Sequence, residues 1–233
     1  DTTYDHISSL SKRGLSREQS FIASGGNDRT AFYISFSRAY EKSHWIDYQK
    51  YKNLVSTTYG HKPTRETPSD YLRNSLRLKG SHMIRENLTV SSGISYVRVN
   101  TNNIARSHTT DGLGRAILST PPDFNLVPYL NTETQYHRSS TNENPSSPLG
   151  PHSWNNPYWV LFEMQQTQEL NRIYGNAKLD YKPKNWVTIS YNFGADYSYD
   201  KRLDLLPIGT YRNGGEGRMF RNLSLIHISE PTR

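Results

Sequence analysis

The sequence predicts an all-β protein: a transmembrane antiparallel β-barrel to which this chain contributes about six strands, with long extracellular loops. Apolar and polar residues alternate strictly through several segments, which favours strands with two different faces. The connections between these segments are alternately short and long. Tight turns at one end of a sheet and long loops at the other are typical of membrane barrels.

The longest alternating segment runs from Val187 to Tyr199. Its odd positions are all apolar or aromatic, and its even positions are all small or polar. At about 3.3 Å per residue the segment spans roughly 40 Å, and a tilt of roughly 40° leaves about 30 Å of height. Trp186 at the turn end and Tyr197 near the loop end then lie where the two aromatic girdles of a membrane barrel are found.

Three hairpins account for the predicted strands. Each joins two alternating segments through a turn of about three to five residues. In the first hairpin, Gly25-Gly26 is expected to form the turn with positive φ, which glycine adopts at little cost. The three hairpins comprise residues 17–40, 72–96 and 171–199.

The connections between the hairpins are long. Residues 41–70 form the first, and residues 101–168 form the second, which holds seven of the 12 prolines. A loop of this length is uncommon in a compact domain but is expected at the outer end of a membrane barrel. Because lipid cannot satisfy an open sheet edge, a barrel has to close. Six strands are too few, so the chain is expected to be part of a larger barrel.

Composition excludes several other classes of protein. The 233 residues carry a formal net charge of +7 and include no cysteine, which excludes disulfide frameworks, cysteine-based zinc sites and thiol catalysis. No apolar run reaches the roughly 18 residues of a membrane helix. The cations are dispersed rather than grouped, so nucleic-acid binding is not indicated. The mean hydropathy of −0.82 agrees with strands that are wet on one face and with polar loops.

No catalytic, cofactor-binding or metal-binding residue is predicted. The eight histidines occur singly, without metal-ligand spacing. Asp196, Asp200 and Asp204 form a spaced acidic set, but catalysis would need a partner that the sequence does not show. No Gly-x-Ser-x-Gly motif occurs. The protein is therefore not expected to be an enzyme.

The aromatic residues of the long loop are the candidate binding residues. Trp154, Tyr158 and Trp159 lie close together in the sequence, followed by Phe162. Exposed aromatic rings stack on sugars and peptides, so these residues are possible contacts to a substrate or a partner. The alternative is that they pack the loop onto the barrel rim or onto a partner.

Basic residues on the polar strand faces form a second candidate set. They are expected to line the aqueous interior, where they either favour anionic solutes or pair with carboxylates outside this chain. The set comprises Arg73, Arg77, Lys79, Arg172 and Lys178.

Three stretches, in this order, carry a family resemblance. The first is residues 22–35, with a Ser-Gly-Gly turn and an aromatic strand, preceded by a lead-in segment at residues 1–7. The second is Asn156-Pro157-Tyr158-Trp159. The third begins with Asn171-Arg172 and Gly175-Asn176 and continues to Tyr197. Together they resemble the SusC/RagA family of TonB-linked outer-membrane transporters, whose early and middle strands and outer loop have these features.

The resemblance implies a function and a set of partners. It implies that residues 1–222 are part of a 22-stranded TonB-dependent receptor barrel in the cell outer membrane of Gram-negative type. Such a barrel imports oligosaccharides or peptides with a SusD-like surface lipoprotein as lid and the TonB–ExbB–ExbD complex as energy source. The signal peptide, plug, TonB box and C-terminal strands are expected to lie outside this chain, and no cofactor is implied. Outer-membrane lipid would surround the barrel.

The last eleven residues are not expected to belong to the barrel. Residues 223–233 resemble translated sequencing-adapter sequence, and such non-native segments are set aside in fold reasoning.

Two other functions remain open on the sequence. One is a passive porin or adhesin barrel, which a plug and a TonB box in the full-length protein would exclude. The other is a soluble carbohydrate-binding β-sandwich, because alternation alone also describes a sheet with one wet face.

Overall fold

The computed structural model describes residues 2–46, 49, 63–65, 70–104, 112–131, 138–140, 154–211 and 216–232, with side chains up to residue 226. Seven strands form one antiparallel sheet in chain order, so each strand pairs with its neighbours in the sequence. The strands are β1 (Leu15–Gly26), β2 (Thr30–Lys42), β3 (Asp70–Arg85), β4 (Leu88–Asn103), β5 (Gln165–Lys184), β6 (Val187–Leu206) and β7 (Arg218–Thr232). Short helices α1 (His6–Leu10), α2 (Leu113–Ser119) and α3 (Pro157–Phe162) lie in the connections.

The all-β prediction and its three hairpins are confirmed. The short turns join β1 to β2, β3 to β4 and β5 to β6 at one end of the sheet, here called the turn end. The long connections lie at the opposite end, called the loop end. None of the helices in the described part of the chain combines the length and the apolar composition that a membrane-crossing helix requires.

The third hairpin is longer than the alternation indicated. The pairing continues from Asn171↔Tyr199 to Gln165↔Leu205, although both strands become polar there. Backbone groups alone make this ladder, so it does not need an apolar face. Side chains add to it, since Gln168 donates to Asp200 at 3.1 Å.

A seventh strand extends the predicted six. β7 pairs with β6 from Leu206↔Arg218 to Asn192↔Thr232. It incorporates most of residues 223–233, the segment that was not expected to belong to the barrel. The register places Leu223 and Leu225 on the apolar face, opposite Lys201 and Tyr199. The adapter origin of this segment stays a prediction.

The first turn differs from its prediction. Gly25 and Gly26 are paired strand residues opposite Phe32 and Ala31, and neither has the positive φ that was expected. Asn27 forms the turn instead, because its side-chain oxygen accepts the backbone N–H groups of Arg29 and Thr30 at 3.0 and 2.8 Å. Glycine is still needed at position 26, where a Cβ would lie 2.3 Å from the carbonyl oxygen of Thr30.

The sheet has one apolar and one polar face. Since directly paired residues share a face, the strand registers define continuous rows across the sheet. On the apolar face, one row consists of direct cross-strand partners from six strands, all at least 38% exposed. This row is Phe21, Phe36, Leu76, Tyr96, Ile173 and Tyr197. The row, the apolar residues on its turn side, and Tyr199, Leu223 and Leu225 on its loop side are called the apolar band.

The buried hydrophobic core lies outside the sheet. It collects residues from the connections and from the strand ends at the loop end, and is called the loop cap. Its buried apolar members are Leu10, Ile46, Ile104, Leu113, Ala116, Ile117, Leu126, Tyr129, Leu130, Tyr158, Trp159, Val160, Leu161, Phe162, Met164 and Leu206.

Candidate functional site

Helix α3 is the centre of the loop cap. Asn156 caps its first turn by accepting the backbone N–H of Tyr158 at 2.9 Å, and Pro157 provides the fixed φ that suits a first helical turn. The amide of Asn156 also donates to the carbonyl oxygens of Leu126 and Arg138 at 3.1 and 2.7 Å. One side chain therefore starts the helix and fastens two distant loop segments to it.

A buried carboxylate follows the helix. Glu163 is 2% exposed. One carboxylate oxygen accepts the Tyr129 hydroxyl at 2.7 Å. The other accepts the backbone N–H and the hydroxyl of Thr64 at 3.2 and 3.1 Å. These donors replace the water that a buried charge loses, so Glu163 joins three loop segments.

Arg65 links the same segments to the sheet. Its guanidinium is buried and donates to the carbonyl oxygen of Met164 at 2.9 Å and to the side chain of Asn102 in β4 at 2.8 Å. Burial lowers the pKa of Arg65 to about 10, while Asp70 acts in the opposite direction. The guanidinium therefore stays charged at neutral pH and fixes the cap to the strand ends.

Two of the three predicted contact residues are buried. Tyr158 and Trp159 are each 3% exposed. The Tyr158 ring lies 5.8 Å from the Phe162 ring and 6.3 Å from the Tyr129 ring, and the Trp159 indole donates to Thr210 at 3.0 Å. This placement favours the packing alternative for both residues.

Trp154 is in a different position. It is half-buried at the start of the segment that leads into α3. Arg115 lies in the first turn of α2. Its guanidinium carbon is 4.1 Å from the centre of the Trp154 ring, which is a cation–π contact. Contact with a substrate or a partner stays a prediction for Trp154.

The polar face of the sheet carries the predicted basic residues. Arg172 pairs with Asp196 on β6, with a 2.9 Å bond from its Nε, and Lys178 pairs with Asp180 at 2.8 Å. The predicted partners for such cations are carboxylates outside this chain. For these two, carboxylates of the same sheet serve instead.

Arg77 and Lys79 differ from this pattern. Neither makes an ion pair or a hydrogen bond with the described residues. They border a shallow depression of about 500 Å³ on the sheet, whose other polar-face lining includes Gly93, Asn192 and Gly194. Glycine leaves room at this point of the sheet, so both cations are accessible from the polar face.

The loop cap also contains polar residues that sequence reasoning did not single out. Tyr129, Glu163 and Arg65 carry no motif, and the contacts of Glu163 span 34 and 99 residues. The only signal in the sequence is that Glu163 and Arg65 are charged residues within the long connections. Within the described residues, no group of three or more histidines or acidic residues could hold a metal ion.

Comparison with known proteins adds evidence on the fold. No protein-family model and no curated protein matches the chain. Among solved structures, the chain is similar to a chain of the RagAB peptide importer in its closed-closed state, with a TM-score of 0.61 and 16% identity over 98% of this chain. The open-open state gives the same TM-score and identity over 97% of this chain. In both cases this chain spans only 23% of the matched chain. The likeness supports the all-β fold, which in the matched structures forms part of a longer chain.

Proposed function

We propose that this chain is a wall segment of a TonB-dependent outer-membrane transporter of the SusC/RagA type. The observation that carries the proposal is the apolar band, which crosses six neighbouring strands while the opposite face is polar and charged. An exposed apolar surface of this extent on a soluble protein would be unusual. In a barrel the band contacts lipid, and the polar face lines the aqueous interior.

The import of peptides or oligosaccharides is the transport activity that fits best. Support comes from the sequence resemblance and from the peptide importer among the similar structures. The polar face agrees with it, since Arg77 and Lys79 offer positive charge to a passing solute. A surface lipoprotein as lid and energy from the TonB–ExbB–ExbD complex belong to the same proposal, as does location in the outer membrane.

The loop cap has a defined role in this proposal. Its packed core holds the loop segments around α3 in one arrangement above the barrel wall, with Trp154 half-buried against Arg115. We assign contact with substrate or lid to Trp154 and a packing role to Tyr158 and Trp159.

Uptake in cells tests the transport proposal. The complete gene is expressed in a strain that lacks it, and uptake of labelled oligopeptides and oligosaccharides is measured with and without a protonophore. Uptake that depends on the proton gradient supports the proposal. Uptake that is unchanged by the protonophore would identify a passive porin instead.

Fractionation tests the membrane assignment separately. The complete protein should sediment with outer membranes and need detergent for release. Recovery in the soluble fraction without detergent would favour the β-sandwich alternative.

A point variant tests the contact assigned to Trp154. Trp154→Ala should lower uptake or lid binding several-fold, with Trp186→Ala at the turn end as the matched control.

A further inference from the structure

A row of hydrogen-bond donors follows the apolar band at its loop side. In β1 to β5, the next outward row contains Gln19, Arg38, Asn74, Arg98 and Asn171, which are direct cross-strand partners in sequence. In β6 and β7 the band continues through Tyr199, Leu225 and Leu223. The next outward residues there are Lys201 and Arg221. These seven residues are called the donor rim.

The donor rim contains no carboxylate. Each of its seven side chains is a guanidinium, an ammonium or an amide, so all can donate hydrogen bonds. The rim slants toward the loop end from β5 to β7, as the edge of the band does. The rim therefore follows the loop-side edge of the band on all seven strands.

Charge is separated by face at this level. In the loop-end part of the seven strands, where all side chains are described, the outward cations outnumber the outward carboxylates. The outward cations are Arg17, Arg38, Lys42, Arg98, Lys201 and Arg221, and the outward carboxylates are Asp70 and Glu169. Inward-facing charges on the same strand segments are Arg73, Arg202 and Arg218 against Glu18, Glu41, Asp200 and Asp204. Two equally hydrated faces would give no reason for this segregation.

Several rim cations are available to a ligand. Arg38, Lys201 and Arg221 are exposed and make no hydrogen bond or ion pair with the described residues. Arg98 donates to Glu169 at 3.1 Å, but both side chains are more than a third exposed, so water competes with this pair. The rim therefore keeps several charged donors free beside an apolar surface.

We propose that the donor rim binds the phosphate groups of anionic lipids whose acyl chains lie against the apolar band. This inference rests on the proposed membrane function and adds the chemical class of the lipid. Rim residues of β1 to β5 are direct partners whose side chains start about 5 Å apart, whereas Lys201 and Arg221 are diagonal neighbours about 7–8 Å apart. At either spacing two long donor side chains can reach one phosphate. Seven strands give roughly 29 Å of rim, which accommodates more than one headgroup. A neutral lipid offers the same chains to the band but no net negative charge to the rim.

Spin-labelled lipids test this proposal. The complete protein that contains this chain is reconstituted in phosphatidylcholine vesicles with trace spin-labelled phosphatidylglycerol or phosphatidylcholine. Electron spin resonance then gives the relative association constant of the two lipids at the protein surface. We expect a preference of about fivefold for phosphatidylglycerol at low salt, decreasing as salt screens the charges.

Two triple variants separate the rim from overall charge. Arg38→Gln, Lys201→Gln and Arg221→Gln together should remove the preference, while glutamine keeps an amide donor and similar bulk. The matched control removes three cations from the polar face, through Arg73→Gln, Arg77→Gln and Arg218→Gln, and should retain it. The salt dependence of the unmodified protein provides a readout that needs no variant.

Each other outcome has a defined meaning. Absence of motionally restricted lipid on the unmodified protein would contradict the membrane function itself. Restricted lipid without a phosphatidylglycerol preference, or a preference that survives the rim variant, would overturn the rim proposal alone. Loss of the preference on adding inorganic phosphate at constant ionic strength would identify a free-phosphate site instead. If the rim variant kept the preference but lost an acidic protein partner, the rim would be a protein-docking surface.

Discussion

The loop cap and the sheet place their apolar side chains in opposite environments. In the cap, Phe162 is 1% exposed and packs against Tyr129 and Tyr158. In the sheet, Phe193 is 44% exposed and no layer of the described chain covers it. The cap is thus a conventional core that excludes water by its own packing, whereas the apolar face of the sheet is not covered by any described residues. The same residue type should therefore respond differently to mutation in the two regions.

The largest expected effect is Phe162→Ala. It should weaken the cap by about 3–5 kcal/mol, because the neighbouring rings cannot collapse fully into the space that is left. Hydrogen exchange of the α3 amides in the complete protein measures this as easier local opening. Phe193→Ala is the matched control and should cost less, about 1–2 kcal/mol, since in the proposed membrane setting lipid refills the site. Equal costs would mean that Phe193 is buried in the intact protein.

A charge on the apolar band gives the next effect. If the band faces lipid as proposed, Ile189→Arg should destabilise the protein folded in vesicles by about 2–4 kcal/mol, because the band then carries a cation in lipid. Urea titration of the folded fraction measures it.

Ser190→Arg is the control for this charge, one residue away on the polar face. Ser190 donates to Asp180 at 2.5 Å, so an arginine there finds a carboxylate and water. Similar losses at both positions would contradict the assignment of the two faces.

A hydroxyl in the cap should matter more than one in the sheet. Tyr129→Phe removes a donor from the buried carboxylate of Glu163 and should cost about 1.5–3 kcal/mol of cap stability. Tyr96→Phe removes a 2.9 Å bond to Asn171 on an exposed part of the sheet, where water replaces the donor, and should cost less than about 1 kcal/mol. Hydrogen exchange near each site gives both values. A smaller loss at Tyr129 than at Tyr96 would show that water reaches Glu163.

The ion pair of the polar face should have the smallest effect. Arg172 and Asp196 are 48% and 28% exposed, so solvent screens their attraction. A double-mutant cycle with Arg172→Ala and Asp196→Ala should give a coupling of about 0.2–1 kcal/mol that decreases with salt. A coupling of about 3 kcal/mol, insensitive to salt, would mean that the polar face is dry.

The sheet was predictable to the extent that its signal is local. The alternation from Val187 to Tyr199 specifies which residues share a face, and the register confirms it through pairs such as Ile173↔Tyr197. The polar ends of β5 and β6 were missed because their ladder depends on backbone pairing rather than on a pattern of side chains. β7 was not predictable because its outward residues mix Met219 and Leu223 with Arg221, which breaks the apolar alternation. Most of the strand also lies in residues 223–233, which resemble adapter sequence.

The loop cap was not predictable in the same way. A loop rich in asparagine, serine and proline gives no period that indicates a core, and an aromatic residue in it fits a binding role as well as a packing role. Burial decided between these roles for Tyr158 and Trp159, while Trp154 kept part of its surface. The buried partners of Glu163 lie far away in the chain, so no spacing rule connects them.

By itself, the sequence determined the β character of the chain, its three hairpins and the two faces of its strands. It could do so because side chains in a strand alternate between faces at every residue, a rule that operates within a few positions. Only the tertiary structure decided the loop cap, the lengths of the outer strand ends and the alignment of the donor rim. Those features depend on contacts between segments distant in the chain, and such contacts form only when the sheet brings the strand ends together.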